Sequence, residues 1–89
     1  MTVPQLGEIL SDAQRRQVQT DMAEHLVRAR DILTRAMRAG LNTAQVETRE
    51  RVRIFIQQAE DARERDPKTA LELARRADVL AQDLAPALR

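Results

Sequence analysis

Cysteine, tryptophan and tyrosine are missing from this chain of 89 residues, which has one phenylalanine, two glycines and three prolines. Without cysteine there is neither a disulfide to staple a small domain nor a thiolate to hold zinc. With Phe55 as the lone aromatic ring, the core must be aliphatic, and no set of rings exists on which nucleic-acid bases would stack. Charge of one sign is lacking too: 15 basic and 14 acidic residues leave a formal charge of +1, too small for a field that would gather polyanions. No apolar run approaches the roughly 18 residues of a membrane-spanning helix. MTVPQLGEIL has neither the basic flank nor the long apolar stretch of a secretory signal. The expected location is therefore cytoplasmic, or periplasmic and cell-envelope if the chain is a fragment that has lost its signal.

What is present is helix-forming. Hydrophobic residues make up 43% and charged residues 33% of the chain, enough apolar surface for one core and one domain. Residues 1–10 read as an extended arm, because Pro4 removes a backbone donor, biases Val3 away from helix, and is followed by Gly7. Ser11 and Gln14 form an S-x-x-Q capping box, after which Val18, Met22, His25, Leu26, Ala29, Ile32, Leu33, Ala36 and Met37 recur at spacings of three and four. This predicts a first helix over 12–39, ended by Gly40. Asn42 or Thr43 caps a second helix over 43–65, with Val52, Phe55, Ile56, Ala59 and Ala62 as its stripe. Asp66-Pro67 is an N-cap and N1 pair that starts a third helix over 67–85, carrying Ala70, Leu73, Ala74, Ala77, Leu80, Ala81 and Leu84. Short links make neighbours antiparallel, so the expected fold is an all-α, three-helix antiparallel bundle. The alanines at the 66–67 reversal face one another and permit close approach of the axes. Leu73, Leu80 and Leu84 lie to one side of that ladder, where the first helix is expected to cover them.

DPKTALELARRADVL, with small residues at Ala70 and Ala77, resembles the second helix of a tetratricopeptide repeat. The preceding helix with Phe55, Ala59 and Ala62 is similar to that repeat's first, and together they cover about a third of the chain. There is also a likeness to helical modules of bacterial envelope proteins, in which Phe-x-x-Gln-Ala precedes Asp-x-x-x-Ala-x-x-Leu-Ala-x-x-Ala. The resemblance implies a tetratricopeptide-like hairpin that binds or scaffolds and does not catalyse. The pattern occurs once, whereas a solenoid needs about three repeats to bury a continuous core.

Residues with chemical potential are few. His25 is the single histidine, at the edge of the first apolar face, with Asp21 one turn earlier as its expected partner. A metal site needs several ligands, so neither a metal nor another cofactor is expected. Glu60, Asp61, Glu64 and Asp66 cluster, but Arg63 and Arg65 interleave with them and Asp66 serves as a cap, the pattern of a solvated helix end. Arg28, Arg30, Arg35 and Arg38 crowd the end of the first helix. They offer an alternative anion or nucleic-acid surface, against which stand the helix dipole they offset and the i,i+4 pairs Glu24–Arg28 and Asp31–Arg35.

The leading expectation is a non-catalytic protein-interaction or scaffold module with no small-molecule substrate, binding a protein partner or a second copy of itself. The arm residues Val3, Leu6, Ile9 and Leu10, the overhanging start AQRRQVQ, and Val46 and Ile54, which fall off the second helix's main stripe, are its candidate contact surface.

Overall fold

The computed structural model describes residues 10–88. Three α-helices carry them: α1 (Asp12–Ala36), α2 (Thr43–Ala62) and α3 (Pro67–Leu84), followed by a short 3-10 helix, Ala85–Leu88. No strand occurs among the described residues. The expected arm falls almost wholly outside this range, leaving Leu10 and Ser11 as the non-helical lead into α1.

The starts of the helices follow from side-chain chemistry. Gln14 N–H donates to Ser11 Oγ at 3.1 Å while Ser11 N–H donates to Gln14 Oε1 at 2.9 Å, so each otherwise orphaned amide is satisfied by the other residue's side chain. Asn42 and Gln45 repeat the device at the start of α2, with distances of 2.8 and 2.9 Å. Asp66 caps α3 by accepting from both the backbone N–H and the hydroxyl of Thr69, which together hold its carboxyl below its ordinary range. Pro67 fills the first helical position, where no amide donor is needed.

The ends fall earlier than the apolar pattern suggests. After Ala36 the chain tightens, with Arg38 N–H bonding to Arg35 O and Ala39 N–H to Ala36 O, and α1 closes before Gly40 is reached. Likewise Arg63 N–H turns back to Glu60 O, ending α2 at Ala62. At the far end α3 passes directly into the 3-10 turn, which includes Pro86.

Alternation of short links gives an up-down-up bundle in which α3 is the common partner: it packs extensively on both α1 and α2, which touch each other little. Met22, Leu26, Ala29, Ile32 and Ala36 of α1, Val52, Ile56, Ala59 and Ala62 of α2, and Ala70, Ala74, Ala77, Ala81 and Leu84 of α3 form one core. Met22, Val52 and Leu84 are the largest of the fully enclosed side chains. Each contributes about 1.5–3 kcal/mol by leaving water. Gln19 of α1 meets the end of α2, its amide donating to Arg63 O at 3.4 Å while Arg63 Nε donates to its Oε1 at 3.3 Å. The residues before it, Asp12 to Gln17, are exposed.

The leucine edge sits differently from expectation. Leu84 is buried, but Leu73 and Leu80 are only partly so, and Leu80 shares an open groove with Phe55 on the α2–α3 flank. Among the residues α3 turns toward α1 is Asp78, a carboxylate. The polar side chain fits there because α1 supplies two donors opposite it.

Candidate functional site

Asp78 is 7% exposed, the buried charged residue among those described. It sits on the α1-facing side of α3, next to the alanine ladder, and every bond it needs comes from nearby. Its Oδ2 lies 2.7 Å from His25 Nδ1 and 2.9 Å from Arg28 Nε, both on α1, while Gln82 on its own helix donates to Oδ1 at 3.2 Å. A carboxylate oxygen only accepts, so the 2.7 Å contact places the imidazole proton on Nδ1. That proton leaves Nδ1 unable to accept from Arg28 Nη2, 3.1 Å away, and the guanidinium is held instead through its Nε bond to the carboxylate. Burial pushes the Asp78 carboxyl up. The hydrogen bonds from His25, Gln82 and Arg28, with the Arg28 charge, outweigh that effect and hold it below its ordinary range.

This polar node replaces the partner expected for His25. Asp21 bonds to Gln17, while His25 reaches 53 residues along the chain to Asp78. Helical spacing brings Asp21 within range, but it points along α1's surface, whereas Asp78 lies across the α1–α3 seam. The node's chemistry is that of a fastener: three donors converge on one carboxylate and lock α1 to α3 in register. Among the described residues, no group of three or more His, Asp or Glu side chains is arranged to hold a metal ion.

The four arginines Arg28, Arg30, Arg35 and Arg38 do not converge. Arg28 turns to Asp78 on α3, Arg30 pairs with Glu60 on α2, and Arg35 pairs with Asp31 on its own helix at 3.0 Å. Glu24 is therefore not the partner of Arg28. Arg38 is exposed at the end of α1. The acidic cluster is likewise shared out, with Glu60 on Arg30, Asp61 on Gln57 and Asp66 on Thr69.

Of the candidate contact residues, Val3, Leu6 and Ile9 lie outside the described residues. Leu10 is half-buried beside the α2–α3 turn, where it lines a small recess with Arg15, Asp66 and Thr69. Val46 is half-buried and Ile54 is 44% exposed. The more extensive apolar surface is elsewhere. Phe55 and Leu80 form the floor of an open groove of about 360 Å³, Val79 stands at its edge, and Glu72, Arg75 and Arg76 make its rim. Val79 is 60% exposed. On α1, Val27 is exposed to a similar degree and, with Thr20, Ala23, Glu24 and Arg28, lines a second open groove of about 410 Å³, while Met37 is exposed near the end of that helix.

Neither Asp78 nor Val79 was singled out by periodicity, although both left a trace. Asp78 interrupts the apolar sector between Ala74 and Ala81, and Val79 falls off the main stripe as Ile54 does. Comparison with known protein families, curated proteins and solved structures returned no match to this chain.

Proposed function

We propose that this bundle is a protein-interaction module whose contact surface is the α2–α3 groove and whose α1 serves as a brace. The observation that carries this reading is the groove: Phe55, Val79 and Leu80 bring apolar surface together at an exposed helix-helix flank, rimmed by charged side chains. An apolar centre within a polar rim is the usual anatomy of a binding patch. The His25–Asp78–Arg28 node supports the brace, since it spends the chain's one histidine on holding helices together. The ion pairs of Arg28, Arg30 and Arg35 weigh toward this reading and against an anion surface, because a guanidinium already neutralised by a carboxylate offers little to phosphate.

The test compares wild-type protein with Val79→Asp as bait for partners, with circular dichroism confirming that the variant folds. Val79 is exposed, so its replacement leaves the core alone. A partner held by wild type and lost with Val79→Asp supports the module. If every retained partner binds both baits equally, the groove is not its contact surface.

A further inference from the structure

The groove's rim carries both signs of charge, and their order along α3 suggests what it is matched to. Arg75 Nη1 lies 3.2 Å from Glu72 and Arg76 Nε lies 3.6 Å from the same carboxylate, so one acidic group serves two guanidinium groups and Arg76 is the looser of the pair. Asp83 is exposed and makes no ion pair or side-chain hydrogen bond with the described residues. Arg76 and Asp83 are two helical turns apart and therefore lie on the same flank of α3, one on either side of Val79. A purely acidic or purely basic partner would satisfy half of this rim and repel the other half. A partner that matches it needs an apolar residue flanked by the same charges in reverse order, and an antiparallel copy of α3 has that arrangement.

Building on the reading of the groove as a contact surface, we propose that its partner is a second copy of this chain, docked with the two α3 helices antiparallel across Val79. Two-fold symmetry then sets Val79 against the partner's Val79. It also brings Arg76 of each copy beside the partner's Asp83, one turn to either side of the axis. Such an interface is isologous, so it closes at two copies and leaves no surface for further growth. The apolar floor made by Phe55 and Leu80 lies on the Arg76 flank of α3, where the incoming helix covers it. Arg75, on the other flank, keeps Glu72 as its own partner.

Charge exchange tests the pairing directly. Light scattering or sedimentation equilibrium over about 1 µM to about 1 mM, the range of weak to moderate affinities, is expected to show wild-type mass rising from 10.1 kDa toward twice that value. Arg76→Asp and Asp83→Arg each place like charges together at both symmetric positions and are expected to stay at the monomer mass. An equimolar mixture of the two restores opposite charges at both positions and is expected to return to the dimer mass. Both sites are exposed, so circular dichroism of each variant should match wild type. A wild-type mass constant at 10.1 kDa overturns the self-pairing, as does a dimer that both charge variants retain or a mixture that stays monomeric. These results leave the interaction reading standing wherever a Val79-dependent partner of another kind is captured. Loss of that capture together with a monomeric mass removes both.

Discussion

Nδ1 of His25 on α1 donates to Oδ2 of Asp78 on α3 across 2.7 Å, joining positions 53 residues apart in the chain. The bond is one of three on a buried carboxylate, and it makes α1 docking depend on the charge of Asp78. Its folded-state carboxyl is held below the ordinary 3.8, so this residue's contribution is full above about pH 4 and is lost as pH falls through the folded value. Asp78→Asn is expected to cost about 1–3 kcal/mol at neutral pH, since charge-assisted bonds are weakened and two α1 donors lose their anion. The gap in urea midpoint between the two proteins should then narrow on acidification below pH 4. A gap that stays constant to pH 2 would show that the carboxylate charge does not hold the helices.

Ala74 and Ala77 are wholly enclosed where α3 packs between its neighbours. Leucine at either position has no void to fill and must push helices apart. The expected cost of Ala74→Leu or Ala77→Leu is about 1–3 kcal/mol, read as a lower denaturant midpoint at unchanged slope. An unchanged midpoint for both would mean that the seam is looser than described.

Gly40 sits in the α1–α2 link with open space where a side-chain β-carbon would be, and its backbone is not in the left-handed region. The fold therefore has no need of glycine there. Gly40→Ala is expected to stabilise by about 0.4–1 kcal/mol through the smaller entropy of the unfolded chain. Thermal melting with the wild type alongside checks the sign.

The two capping boxes should respond differently to loss of their side chains. Asn42 begins a helix whose apolar stripe joins the common core, so Asn42→Ala is expected to lower global stability by about 0.5–2 kcal/mol. Ser11 begins the exposed turns of α1 that precede Gln19. Ser11→Ala is expected to speed amide exchange in those turns while moving the global midpoint little, because they can fray without opening the core.

The helices and their starts are legible in the sequence because they are local. Ser11 and Gln14, Asn42 and Gln45, and Asp66 and Pro67 each satisfy the chain within a single turn, and the apolar spacing of Met22 to Ala36 fixes one buried face. The expected ends overshoot, since Met37 and Ala39 continue the pattern while the backbone has already tightened into i→i−3 bonds. Periodicity counts apolar residues and says nothing about where the last carbonyls find partners. The site is harder to read. The partner of His25 is set by how α3 seats against α1, and the fate of Leu80 depends on which flank of the hairpin α1 covers. Both are relations between distant segments that spacing within one helix does not encode.

The weight of alanine in the core has a thermal consequence. Among the described residues, eight of the fourteen buried apolar residues are alanine, so each gains its enclosure with little hydrocarbon to expose again on unfolding. Heat capacity rises on unfolding in proportion to the apolar area newly wetted, by about 0.45 cal/mol/K per Å². A core of this kind should yield a small increment for its length. Its free energy should consequently vary little over a broad span of temperature, with a shallow maximum and distant limits on the cold side as well as the hot.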